Sequence, residues 1–506
     1  MKLNNFVRSL VFYKPALAAL LLALSRLPLH LGFLVFFGMI PLFSFFEEKP
    51  RIKQIIRAAI VFGVVYGLVC LHWVSLVTWP GFIGMLLLFG FYFVIMFNLI
   101  GTIWKLNPKL KYPAFICFWL SFEYLQNFGE FSFPWFNVGY SLGDYLTFIQ
   151  LADIGGIYLL SALIILVNIF IYELRNNYKR HLITLITVVI IWAGYGFIRL
   201  QTMKLVKTDT QVSIVQVSIP QDKKWEQTYL DTTLKYYEEF TALAAGQGSV
   251  LIIWPESATP LYLLRQPKYK RWIIEQVKTL EKDIFTGFPH YKYLGPGDPR
   301  KYKFYNAATR FDRDGKIYPP YYKNVLVPFG ERIPLLNIFP FLWNVHLGQA
   351  NWEYGEKQEF YVIEGNTYSP LICFEIAFEF LTTRMAREDV DFIVNITNDA
   401  WFKRSAGTYQ HATMTKFRAV ETRKMIYRAA NTGYSLIVSP TGELLERSKL
   451  FEKTILTAEI IKCNSNSFFT KYLFWFPVVF VVGAGMILIA GLIFRRRLTQ
   501  KEYEKE

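Results

Sequence analysis

Over the first two hundred residues long apolar runs alternate with short basic loops, and the pattern then changes to brief apolar runs broken by turns and amphipathic segments. A bilayer core of about 30 Å requires roughly 20 apolar residues in a helix. The runs at 11–24, 29–45, 55–77, 82–104, 112–125, 154–172, 183–198 and 472–494 therefore predict about eight transmembrane helices, the first, second and fifth being short for the task.

The intervening region reads as a soluble domain. Strands are predicted at 211–217, 250–254, 284–287, 306–311, 369–374, 391–395, 434–438 and 455–460, and helices at 229–244, 269–280, 377–387 and 410–423. Alternation of this kind over about 250 residues predicts one layered α/β domain. Three parts are expected: a membrane domain of about seven helices at 1–205, an α/β domain at 206–465, and a last transmembrane helix with a basic tail at 466–506.

Composition supports that division. Of 506 residues, 53% are hydrophobic and 18% aromatic, which is too apolar for an ordinary soluble enzyme. The formal charge of +16 does not imply nucleic acid as a partner, because the bases fall in the short loops. Lys2 and Arg8 precede the first run and Lys14 stands at its start; Lys49, Arg51, Lys53 and Arg57 follow the second. Lys105, Lys109 and Lys111 follow the fourth, Arg175, Lys179 and Arg180 the sixth, and Arg495, Arg496 and Arg497 the last. Lys and Arg resist translocation, so all five clusters share the cytoplasmic side and the α/β region is expected on the other. No small-residue cleavage site follows the first run, which predicts an uncleaved anchor.

The four cysteines, Cys70, Cys117, Cys373 and Cys463, lack CxxC spacing and suggest neither a zinc site nor a disulfide framework. His411 has no companion at ligand spacing, and no metal is expected.

Three segments carry candidate chemistry. In 250–256 (VLIIWPE) a strand ends in a Pro-fixed turn presenting Glu256, and a partly desolvated carboxylate there suits a general base. In 322–331 (YKNVLVPFGE) an apolar run is bracketed by Lys323, able to stabilise an oxyanion, and Glu331, able to fix that lysine. In 369–375 (SPLICFE) a strand presents Cys373 just before a helix, whose amino terminus favours thiolate. Each segment alone has an ordinary structural explanation: a solvated acid, a surface ion pair, a packed thiol.

Together, Glu256, Lys323 and Cys373 resemble the Glu-Lys-Cys triad of the nitrilase (carbon-nitrogen hydrolase) superfamily, whose domain is an α-β-β-α sandwich. With a multi-span membrane domain attached, the chain resembles one branch of it, the apolipoprotein N-acyltransferases of bacteria with outer membranes. Residues 133–135 (FPW), 139–141 (GYS), 150–156 (QLADIGG), 395–402 (NITNDAWF) and 428–433 (RAANTG) resemble further signatures of that branch.

The resemblance implies transfer of an acyl chain from a phospholipid, through a thioester on Cys373, to the α-amino group of the S-diacylglyceryl cysteine that begins a lipoprotein. Glu256 would be the base and Lys323 the oxyanion stabiliser; Glu331, Glu375 and Phe374 would support them, and Trp225 would line the site. It implies no cofactor, and an inner-membrane enzyme facing the periplasm; a monomer is expected. The alternative within the superfamily is a membrane-bound amidase or nitrilase. Both proposed substrates are lipids, so Phe339 and Phe341, in the apolar run 334–343, are expected either in a lid dipping into the bilayer or in a core helix. Trp135 is expected either as an interface anchor or in a lipid-entry wall; Glu123 and Asp153, acidic near span ends where acid is costly, are either functional or, more simply, interfacial acids.

Overall fold

A computed structural model describes residues 12–297, 300–339, 341, 343, 351–464 and 467–503. Lys2, Arg8, Val11, Pro340, Leu342 and the expected boundary at 465 and 466 lie outside these residues. The chain forms two compact units: one comprises the described residues up to Ser75, Trp79–Arg199 and those from Tyr472 onward, the other Leu200–Lys471 with Leu76–Thr78.

The first unit is helical. Among the described residues five helices are long and apolar enough to cross a membrane: Ile52–Cys70, Trp79–Leu106, Ala152–Glu173, Tyr178–Thr202 and Phe476–Phe494. The count of eight is thus too high by this measure. Tyr13–Leu24 has 12 residues and Lys111–Leu125 has 15, while the second expected span is split into a 3-10 turn, Gly32–Phe36, and the eight-residue helix Ile40–Glu47. In Ile52–Cys70 the inward face carries Ala58, Phe62, Gly63 and Tyr66, yet Ile60, Val64 and Leu68 on the outer stripe are equally apolar and exposed. A helix hydrophobic all round needs an apolar surrounding on both faces, which marks a membrane protein.

The polar groups of this unit are turned inward. Asp153 is buried, paired with Arg199 at 2.9 Å and accepting from the Tyr195 hydroxyl at 2.7 Å. Glu123, also buried, accepts from Trp119 Nε1 at 3.0 Å and the Val138 N–H at 2.9 Å. Interfacial solvation therefore does not account for either acid. Gly156, with φ of 64°, breaks the first turn of Ala152–Glu173, and such backbone favours glycine. Trp135 is buried and packed on Phe133 and Trp73, with its carbonyl accepting from Arg26, so it is not an interface anchor.

Among the described residues the second unit contains twelve strands: β1 Leu205–Gln216, β2 Leu251–Ile253, β3 Asp283–Tyr293, β4 Tyr302–Phe311, β5 Tyr321–Tyr322, β6 Tyr361–Ile363, β7 Asn366–Ile372, β8 Phe392–Thr397, β9 Met425–Ala430, β10 Leu436–Val438, β11 Leu444–Arg447 and β12 Thr454–Cys463. They form two six-stranded sheets, ordered β12-β1-β2-β3-β4-β5 and β11-β10-β9-β8-β7-β6. The centres are parallel (β1–β2–β3 and β7–β8–β9), which explains why β2 reads as an unbroken apolar run and why every residue of β8 is buried, Asn395 and Thr397 included: both their faces are covered.

Side-chain alternation assigns the faces. Val212, Ile214, Leu251, Ile253 and Phe285 join Ile372, Val394 and Ile396 in a core between the sheets. Val215, Val217, Ile252, Trp254 and Ile284 point the other way, against helices Gln227–Gly246 and Pro267–Leu280. Helix Ala406–Thr422 packs on β9 and β10, completing an α-β-β-α sandwich. β9 is absent from the sequence expectation because Arg428 interrupts its apolar run; the structure buries that guanidinium completely.

Candidate active site

The loops that leave β2, β5 and β7 bring the three candidate residues together. Glu256 follows β2, Lys323 follows β5 and Cys373 follows β7; the thiol lies in the electrostatic field of both the others. Glu256 Oε1 accepts from Asn306 Nδ2 at 2.6 Å and lies 3.8 Å from Lys323 Nζ, while its Oε2 accepts from the Asn398 N–H at 2.8 Å. Lys323, 1% exposed, donates to Glu331 Oε1 at 2.8 Å, and Glu331 Oε2 in turn accepts from the Val327 N–H at 2.9 Å. Burial works against the Lys323 charge, but Glu331, Cys373 and Glu256 outweigh it and hold the ammonium above its ordinary pKa.

Burial also pushes the Cys373 thiol up, Glu256 adds to that, and Lys323 opposes it. The thiol is therefore the resting form, and its proton must leave as it reacts. Helix-dipole assistance is weaker than expected from sequence: Cys373 opens a single 3-10 turn, Cys373–Ala377, and the α-helix begins only at Glu379.

Glu375 ties two loops together and lies in the field of Lys323. Its carboxylate accepts from the N–H groups of Ile372 at 2.7 Å, Asn324 at 2.6 Å and Val325 at 3.1 Å, and from the Tyr321 hydroxyl at 2.8 Å. Burial raises its pKa to about 7 against those bonds. Phe374 is buried edge-on to Phe378 at 5.1 Å.

Trp225 is 46% exposed and adjoins Lys224, a buried lysine whose ammonium donates to the Glu256 carbonyl at 3.1 Å and whose pKa burial lowers to about 8. Phe339 and Phe341 are exposed rather than packed in a core, and Trp135 belongs to the helical unit.

Residues that sequence reasoning passed over fill the gaps. Asn306, Asn398 and Lys224 bind Glu256, and behind Cys373 lie His411, Asp399 and Arg428. His411 does have companions in space: its ring, the Asp399 carboxylate and Cys373 Sγ offer atoms within 4.8 Å of one another. The signal was present in the segments 395–402 and 428–433, whose individual side chains had no assigned task.

Backbone fit around Glu256 is close. A Cβ on Gly287 would lie 2.7 Å from Ile396 Cδ1 and 3.0 Å from Glu256 Cα. Gly287→Ala is expected to shift the Glu256 turn and lower kcat about tenfold or more with KM little changed, as measured by steady-state transfer.

Residues 18–170 match the family described as apolipoprotein N-acyltransferase N-terminal domain, and residues 211–462 match the family described as carbon-nitrogen hydrolase. Sandwich, strand-end residues and apolar helices thus define a membrane enzyme of the carbon-nitrogen hydrolase class. An apolipoprotein N-acyltransferase of Geobacter metallireducens is 30% identical over 501 residues, covering 95% of both chains. Those of Chlorobaculum tepidum and Rickettsia prowazekii are 26% and 32% identical, covering 96% and 71% of this chain and 97% and 72% of their own. The chain belongs to the apolipoprotein N-acyltransferase family.

Proposed function

We propose that this enzyme takes an acyl chain from a membrane phospholipid onto Cys373 and delivers it to the α-amino group of the S-diacylglyceryl cysteine at the start of a lipoprotein. The observation that carries the reading is the enclosed group in which Glu256, Lys323 and Glu331 share hydrogen bonds and charge beside the Cys373 thiol.

In the first half-reaction Glu256 takes the thiol proton and sulfur attacks the ester carbonyl. Lys323 balances the charge on the resulting oxyanion. Collapse expels the lysophospholipid alkoxide, which leaves with the proton from Glu256. In the second half, the neutral amine attacks the thioester, Glu256 accepts its proton, and the thiolate departs and is reprotonated. Two moderate barriers replace one high one.

The domain limits 1–205, 206–465 and 466–506, a monomeric state, an inner-membrane location and a periplasmic catalytic domain complete the proposal; the last rests on the five basic loop clusters. Purified protein in detergent, given acyl-labelled phospholipid, should acquire hydroxylamine-sensitive label and lose it to a diacylated lipopeptide as an amide. Release of the label as free fatty acid instead would indicate a hydrolase.

The exposed Phe339 and Phe341 support a lid that meets the bilayer. Replacing both with Ser should raise the apparent KM for phospholipid in vesicles about tenfold, as expected if roughly half of one buried Phe is lost. Unchanged transfer from vesicles would remove the lid from the proposal.

A further inference from the structure

Cys373 has φ of 55°, in the left-handed region that a non-glycine residue keeps only when its surroundings hold it there. Its carbonyl is the point held. The oxygen lies 3.2 Å from His411 Nε2 and 3.5 Å from Asn395 Nδ2. A carbonyl oxygen only accepts, so Nε2 carries the proton.

The other side of the imidazole is clamped. Nδ1 is 2.8 Å from Asp399 Oδ1 and 2.9 Å from Arg428 Nη2. Arg428 also donates to Asp399 Oδ2 at 2.8 Å and to Asn395 Oδ1, and the Thr397 hydroxyl donates to Asp399 Oδ1 at 3.0 Å. All of these residues are buried. Cys373, Asp399 and His411 are close enough together to resemble metal ligands, but Arg428 already engages both Asp399 and His411, and its charge opposes a cation there.

We propose that His411, oriented by Asp399 and Arg428, is a positioning residue for the nucleophile: by donating to the Cys373 carbonyl it fixes the left-handed turn that aims Sγ. This rests on the reading of Cys373 as the nucleophile. It gives segments 395–402 and 428–433 a joint task, since Asn395, Asp399 and Arg428 come from them and His411 from the helix between, capped at Ser405.

Two amide substitutions separate this role from simple support of the buried network. In His411→Gln the amide nitrogen reaches the place of Nε2; in His411→Asn it reaches only the place of Nδ1. The full chain in detergent is mixed with labelled phospholipid, and the single-turnover rate of Cys373 acylation is read per folded molecule. The Gln variant is expected within about tenfold of wild type and the Asn variant about 100-fold slower, the loss typical of a misplaced reacting atom. The phospholipid concentration giving half the maximal rate should stay the same in both. Equal rates, a faster Asn variant, or loss of folding in both would overturn the proposal. Absence of label from wild-type Cys373 would instead overturn the nucleophile reading on which it rests.

Discussion

Replacing Cys373 by Ala should abolish hydroxylamine-sensitive acylation and reduce transfer by about 10⁵-fold or more, the scale of loss when a covalent nucleophile is deleted. The effect is large because the remaining groups have no thioester to act on. Glu256 and Lys323 would still bind and polarise an ester, but the direct attack of an amine on a phospholipid ester would have to pass over the undivided barrier. Cys373→Ser separates geometry from chemistry. It keeps the side chain's shape and place on the strained turn, yet an alkoxide is harder to form than a thiolate beside the same Glu256, so acyl label should build up very slowly. Equal labelling of the wild-type and Cys373→Ala proteins would remove Cys373 from the reaction.

The second large effect is expected from Glu331→Gln. Lys323 is buried and its direct carboxylate partner is Glu331; Glu256 is a full ångström further away. Removing the near charge leaves a buried ammonium inadequately compensated, which costs about 3–5 kcal/mol of stability. It also draws Lys323 toward Glu256, pairing the base with the cation meant for the oxyanion. Transfer should fall about 10²–10³-fold, the scale found for loss of a preorganised oxyanion donor. Thermal unfolding and single-turnover acylation check the two parts separately. A Glu331→Gln variant as stable and as fast as wild type would mean that Lys323 is held by other groups.

The candidate residues were legible in the sequence because each borders an apolar run. Hydrophobic periodicity locates strands, strand ends deliver side chains to one edge of a sheet, and Glu256 and Cys373 stand at such ends. What stayed hidden depends on long-range proximity. Asn306 lies 50 residues from the carboxylate it binds, and Asp399 lies 12 residues from His411 across a turn and a helix cap. Glu375 was expected as a supporting carboxylate, but its work, joining the Lys323 loop to the Cys373 turn, is a matter of backbone N–H groups that no side-chain pattern reports.

Two features of the fold were obscured in the sequence for physical reasons. Strand β9 was obscured because a fully buried Arg428 looks like a surface residue until its partners Asn395 and Asp399 are known. The span count ran high because apolar length alone does not reveal where backbone geometry interrupts a helix, as between Gly32–Phe36 and Ile40–Glu47.

The first and last strands of the catalytic unit lie side by side, with Leu205 opposite Cys463 and Gln216 opposite Thr454. During synthesis β1 therefore emerges some 250 residues before its neighbour, exposing an open edge until the ribosome has finished nearly the whole unit. Non-local pairing of this kind closes slowly. A chain arrested before Thr454 would carry Glu256, Lys323 and Cys373 yet leave the β1 edge unpaired.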